Sequence, residues 1–463
     1  MTLRRFAISF ALIASLGVSI TSCASSPQSA ARADLKFRAH AFDDEEPAQA
    51  EDATSDDPLA NADSLTLATA LALAAGANTG LKSAFYRWKA SVESIAPAGA
   101  LPDPNLNFGY FIESVETRVG PQQFRVGLSQ MFPWFGTLKL KGDMAAYDAQ
   151  AAEQQFEAVR DRLYRDVVVA YVDYYFVQQS IAITEENLRL VANAEAVARA
   201  RYRAGNGVYA NVLRAQTELA RFENDVMSLT DKLRPVRARL NELLDRPSGD
   251  KLPPAASLPN DTLEWTDDEL LSRVREMNPN VRRASWLTEK AQASEQLAGR
   301  RFYPNLMLGV DYLSTGEARM PGVTESGKDA IIGMVGINIP IWFGAYKSDQ
   351  REATAHRRAA EYALDARVNA IITETEDALY AYRDAERQVE LYNSALLPKA
   401  AEALAATQTS YEAGSVTFID FLDAQETLLD FSLAYERAHA NRLKELARLR
   451  MLAGGALETA VND

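Results

Sequence analysis

Two aspartates, Asp420 and Asp423 in "GSVTFIDFLDAQ" (414–425), stand three residues apart, so both carboxylates share one side of a helix. Such a pair attracts cations, and copies gathered round an axis would stack rings of negative charge. The same residues admit a plainer role. Thr417-x-x-Asp420 is also the spacing of a capping box, in which Asp420 satisfies the helix start and Asp423 is merely solvated. Other reactive chemistry is sparse. The three histidines, His40, His356 and His439, are far apart, and none has a His or Cys neighbour at ligand spacing. The nine methionines are dispersed along the chain, so no soft-metal cluster is legible. No catalytic constellation is present, no metal site or cofactor is expected, and the chain does not read as an enzyme.

Cys23 is the only cysteine, which rules out an intramolecular disulfide. It follows Arg4, Arg5, the apolar run "FAISFALIASLGVSI" (6–20) and the small residues of "ITSC" (20–23). That order is a secretory signal, 1–22, ending at a lipobox, with Cys23 as the lipid attachment (palmitate-bearing) residue of a bacterial lipoprotein. Ala24 follows, rather than the aspartate that would hold a lipoprotein at the inner membrane. The expected address is therefore the outer membrane, facing the periplasm. Residues 41–63 carry nine acids and no base, so 23–64 reads as a lipid-anchored acidic tether. The net charge of −14, without a basic patch, excludes nucleic acid as a partner.

The remainder is a duplication. Displacing the chain by 200 residues sets Asn78 on Asn278, "PNL" (104–106) on "PNL" (304–306) and Gly109 on Gly309. With a larger offset, "WFG" (134–136) meets "WFG" (342–344), "YRAG" (202–205) meets "YEAG" (411–414), and "LRAQ" (213–216) meets "LDAQ" (422–425). Repeat one spans 65–245 and repeat two 265–455, joined by a Pro-rich linker, 246–264, and followed by a tail, 456–463.

Each repeat starts with a helix, for which Thr266 and Glu269 supply a capping box in the second copy. Period-two alternation then predicts strands at about 105–116, 123–132, 305–314 and 329–341. Leu106, Phe108, Tyr110 and Ile112 share one face, opposite Asn105, Asn107 and Gly109. Transmembrane barrels alternate in this way, and so do half-buried soluble sheets. The lipoprotein signal favours the barrel. Next, 143–204 contains neither Gly nor Pro, which predicts a rod roughly 90–100 Å long with a coiled-coil seam. The second rod, about 346–412, is interrupted only by Pro398. Each rod ends at a tip, 204–208 or 413–417, and a second helix returns, with a kink expected at Pro235.

Four strands cannot close a barrel, and open edges in lipid leave backbone groups unpaired at several kcal/mol each. Edge-to-edge oligomerisation is required, and three copies would supply twelve strands. "FPWFG" (132–136) and "IPIWFG" (339–344) then sit at membrane-interface joints: Pro133 and Pro340 end strand pairing, Trp134 and Trp342 suit the interface, and Gly136 and Gly344 permit redirection.

These duplicated units, their tips "YRAGNGVYANVLRAQ" and "YEAGSVTFIDFLDAQ", and the lipobox resemble the TolC family of outer-membrane efflux proteins. The resemblance covers nearly all of 65–455. "ALPDPNL" (100–106) and "FPWFG" further resemble its heavy-metal branch. The resemblance implies a mainly α fold with a β-barrel contribution: a homotrimer whose twelve-stranded transmembrane barrel caps an α-helical periplasmic tunnel. Implied partners are a periplasmic adaptor (membrane fusion) protein, an inner-membrane pump and outer-membrane lipid. It also implies that Asp420 and Asp423 line a periplasmic gate; Arg214, the repeat-one counterpart of Asp423, is a further candidate, expected to pair with Asp423 across the interface between copies and help hold the entrance shut. The tips Gly205, Asn206, Gly207, Val208 and Gly414, Ser415, Val416, Thr417 become the implied adaptor contacts. The expected function is passive efflux of metal ions or drugs. Alternatives are a duct for secreted protein and a structural coiled-coil lipoprotein without a pore.

Overall fold

A computed structural model of the chain describes residues 26–39, 59 and 62–455; Cys23, His40, most of the acidic stretch and the tail lie outside them. The chain is mainly helical, with one small sheet.

The expected single helix opening each repeat is two helices. In the first copy α2 (Leu67–Ala77) is followed by α3 (Thr79–Glu93), and in the second α7 (Asp267–Met277) by α8 (Pro279–Arg300). The break falls on Asn78 and Asn278, whose side chains cap the second helix: Asn78 accepts from the Leu81 N–H, and Asn278 from Asn280 and Val281. Each asparagine also spends its amide N–H on the far end of its repeat, Asn78 on Leu243 O at 3.1 Å and Asn278 on Leu452 O at 2.8 Å. A side chain that can accept and donate at once both restarts the chain and ties it down.

A short α4 (Ile95–Ala98) leads into β1 (Asn105–Tyr110), β2 (Glu116–Thr117) and β3 (Gly120–Phe132). The second copy contributes β4 (Leu306–Thr315) and β5 (Ala330–Ile337). The order is β1-β3-β4-β5, antiparallel throughout, with β2 a small addition to β3. β1 and β5 are shorter than the alternation predicted.

α5 (Thr137–Arg203) is one helix of 67 residues, about 100 Å long, and α6 (Tyr209–Leu243) returns along it. α6 continues through Pro235 as one helix. The second rod is α9 (Phe343–Leu391), a π-turn at Tyr392–Leu396 and α10 (Leu397–Glu412), with α11 (Phe418–Ala453) returning. The π-turn ends two residues before Pro398. Proline offers no N–H and crowds the preceding turn, and a widened turn accommodates both.

The main core lies along the middle of α5. Trp88 stacks on Phe156 with centroids 5.7 Å apart, and Phe85 meets both edge-on. The Tyr171 hydroxyl reaches Leu65 O and Ala256 O, so the lead-in to repeat one and the inter-repeat segment meet at one point; burial pushes its pKa up to about 12. Residues expected within the extended tether instead form α1 (Pro27–Ala39), which buries Ala31 and Leu35 in this core. Gln28 donates from Nε2 to Asp143 Oδ1 at 3.1 Å, which fastens α1 near the start of α5.

Candidate functional site

The two tips are built alike. α5 stops where Gly205 takes φ +76°, with the Asn206 N–H bonded back to Arg201 O; α10 stops where Gly414 takes φ +81°, with Ser415 bonded back to Ser410 O. A left-handed glycine with a six-to-one hydrogen bond closes a helix and satisfies its last carbonyls. Gly205, Asn206, Val208, Gly414, Ser415 and Thr417 are exposed, while Gly207 and Val416 are half-buried.

The starts of the return helices differ. Val208 cannot cap α6 with its side chain, but Thr417 caps α11 in a reciprocal box with Asp420. Asp420 Oδ2 accepts from the Thr417 hydroxyl and N–H, and these bonds hold its carboxyl below the usual aspartate value. Asp420 is therefore engaged as a cap. Asp423, one turn on, is exposed, and its carbonyl accepts from Thr427.

Arg214 and Asp423 line the same crevice of about 390 Å³ between α6 and α11. Within the chain, Arg221 and Glu426 form the ion pair that spans this crevice. Arg221 donates from both terminal nitrogens to Glu426 Oε1, at 3.1 and 3.2 Å, and from Nε to Glu218. Burial alone would lower the Arg221 pKa, but the Glu426 hydrogen bond and the surrounding carboxylates raise it overall. Arg221 lies seven residues beyond Arg214, on the same helix face, and that spacing was the available signal.

Arg201 fastens tip to tip. Its Nη2 donates to Glu412 O at 2.8 Å while the guanidinium lies 4.6 Å above the Tyr411 ring. Tyr411 packs with Phe418 and Phe421, and Ala194 and Ala215 complete this small core. Glu195, beneath it, is held ionised chiefly by Arg199, with Gln216 as a second donor.

At the other end, the sheet divides into two unlike faces. Leu106, Phe108, Val335 and Ile337 are 62–76% exposed on the apolar face. The opposite face carries Asn107, Gly127 and Asp311 in register. Asp311 is almost wholly buried and pairs with Arg125 across β3 and β4. Gly127 makes this fit, because a Cβ there would stand 2.1 Å from Asp311 Oδ1.

The two joints are not equivalent. At the first, the Trp134 ring stacks on Tyr303 at 5.1 Å and the Trp134 backbone N–H donates to Asn305 Oδ1; Pro133 precedes it, and Gly136 at φ +81° caps α5. At the second, Trp342 is 70% exposed and itself precedes α9, so Gly344 already lies inside that helix and Pro340 in the loop before it. Gly344 is not among the glycines with positive φ, so redirection by glycine holds at Gly136 alone.

Among the described residues no group of three or more His, Cys, Asp or Glu side chains could hold a metal ion, and no helix is long and apolar enough to cross a membrane. Sequence reading also missed the methionines. β3, β4 and β5 bring Met131, Met307 and Met334 onto the sheet's polar face. The inter-repeat strand pairing that joins them has no signature in the spacing.

The family model described as "Outer membrane efflux protein" matches the chain twice, at 70–246 and 270–455. The cobalt-zinc-cadmium resistance protein CzcC of Cupriavidus metallidurans is 25% identical, over 82% of this chain and 87% of its own. The pyoverdine export outer membrane protein OpmQ of Pseudomonas putida is 22% identical, over 70% and 68%. A crystal structure of CusC superimposes with a TM-score of 0.72 at 18% identity, covering 84% of this chain and 92% of that one.

Proposed function

The chain belongs to the outer membrane efflux protein family, and on that premise we propose that it is the exit duct of a tripartite efflux system, a lipid-anchored homotrimer that conducts solutes passively. An inner-membrane pump supplies the energy, and a periplasmic adaptor meets the tips. The observation that carries this reading is the sheet. β1 and β5 each lack a neighbour on one side, and large apolar side chains stand exposed on one face. In lipid that face is at home, but each unpaired edge group costs several kcal/mol. Three chains joined β5 to β1 keep the antiparallel alternation and leave no edge. The two-repeat organisation then follows as two hairpins and two rods per chain, each rod continuing a strand pair away from the membrane.

The lipid is attached at Cys23, the cysteine that ends the lipobox. Gln28 is bonded to Asp143, six residues into α5, about 9 Å along that helix. Cys23 stands four residues before Pro27 in the sequence, so at most about 14 Å of chain separates the lipid from the start of α1. Asp423 serves as the carboxylate of the periplasmic gate. Asp420 supports it by fixing the helix start, and Arg221–Glu426 ties α6 to α11 across the neighbouring crevice.

Among substrates, heavy-metal cations are favoured, because CzcC matches the greater share of its length. Growth of a deletion strain on metal salts, and separately on hydrophobic dyes and antibiotics, tests this. Sensitivity to metals that the wild-type gene relieves is expected. Sensitivity to hydrophobic compounds alone would overturn the metal assignment, and sensitivity to neither would overturn efflux of small solutes in favour of protein secretion.

A further inference from the structure

Three of the chain's nine methionines occupy one small area of the sheet's glycine-rich face. Met131 on β3 is directly opposite Met307 on β4. Met307 is opposite Gly336 on β5, and Met334, two residues before Gly336, is opposite Gly309. Directly paired residues have Cβ atoms about 5 Å apart and diagonal ones about 7–8 Å, both within reach of long side chains. The Met307 methyl lies 3.1 Å from where a Cβ on Gly336 would stand, and the Met334 methyl lies 3.2 Å from the same point on Gly309. Two thioethers thus cross between β4 and β5 in opposite directions, each over a glycine. Met131 and Met307 are 39% and 44% exposed, so neither side chain is sealed in the sheet.

The charged groups on the strands of this face, among the described residues, are Arg125 and Asp311, and they neutralise each other. Arg125 Nη2 donates to Met334 Sδ at 3.9 Å, so an ion that binds this thioether displaces that weak contact. A leucine would cover a glycine equally well. A thioether adds a soft lone pair that no proton competes for, and soft donors select soft cations.

We propose that Met131, Met307 and Met334 form a thioether layer on the lumen wall that reversibly binds soft monovalent cations, copper(I) or silver(I). The location in a lumen rests on the duct reading above; the coordination does not. A site of thioethers alone holds an ion weakly enough to release it, as conduction requires. Zinc, which is bound through thiolate, imidazole or carboxylate, finds no free ligand of that kind here.

The test uses the full chain in detergent, titrated with silver nitrate and, in parallel, zinc nitrate, against a Met131→Leu, Met307→Leu, Met334→Leu variant. Losing an outer-sphere partner alone costs metal affinity about tenfold or more, so losing these ligands should weaken silver binding at least that much and leave zinc binding unchanged. Equal silver isotherms would overturn the proposal. Should the variant fail to fold, the unaltered chain still decides. Silver must shift the 13C-methyl resonances of these three methionines, and unshifted resonances would overturn the site. Planar bilayers in potassium nitrate separate this idea from the duct. A chain that conducts but ignores silver defeats the thioether layer alone, and a chain that binds silver through these methionines but never conducts defeats the duct alone.

Discussion

Gly136 holds φ +81° at the first strand-to-helix joint, in a region that costs a side-chain-bearing residue about 1–2 kcal/mol. Gly344, its counterpart in the repeated motif, sits in the first turn of α9 with nothing within 4 Å of a would-be Cβ. Gly136→Ala should therefore lower thermal stability in detergent by about 1–2 kcal/mol, whereas Gly344→Ala should leave it unchanged or raise it by up to about 1 kcal/mol. Equal effects would mean that the joints are symmetric after all. At the tips, Asp420 and Glu195 both have lowered pKa values in the folded chain, from ordinary values of 3.8 and 4.5. Each then contributes stability that is fully present above its unfolded value and lost as pH falls through the lower folded one. Amide protection at the tips, corrected for intrinsic exchange, should fall below about pH 4.5, with Asp420→Asn removing the part that Asp420 supplies. Protection that rises on acidification would reverse the sign. Asp423→Asn should weaken cation selectivity in bilayers while sparing tip protection, since only Asp420 caps the helix.

Among the elements, the asparagine brackets explain why each repeat closes on itself. Asn278 is 2% exposed, caps α8 and donates to Leu452 O, so Asn278→Ala removes a cap and strands a buried acceptor. Together these should cost about 2 kcal/mol, with a somewhat smaller loss for Asn78→Ala, which is less buried. Thermal melting of the two variants checks this, and no shift for Asn278→Ala would show that water replaces the bracket. The helix-to-strand-to-helix order was legible in the sequence, because apolar spacing changes from 3.6 to 2 and back and because 143–204 lacks helix breakers. The Asn78 and Asn278 breaks were aligned but not recognised, since an asparagine inside an apolar helical pattern does not announce a cap without its distant carbonyl. α1 was hidden by the acidic composition that follows it, and the Met131, Met307 and Met334 layer by a strand pairing between repeats. The capping role of Asp420 was legible as an alternative from Thr417-x-x-Asp420 alone, whereas the Arg221–Glu426 pair needed the packing of α6 against α11.

For the whole molecule, two unlike ends are held apart by a rod about 100 Å long. One end exposes Phe108, Ile331 and Val335, which water tolerates poorly, and the other exposes two closed helical turns. A chain with open sheet edges and an exposed apolar face is incomplete alone, and duplication within the chain supplies alternating units for an assembly about one axis. The most direct test is the native mass of the complex extracted from outer membranes in mild detergent. The account predicts three copies of the mature chain, held together without added partners. A monomer or dimer that keeps its sheet intact would contradict it, because four strands cannot close and eight close only round an interior that side chains fill, which leaves no duct.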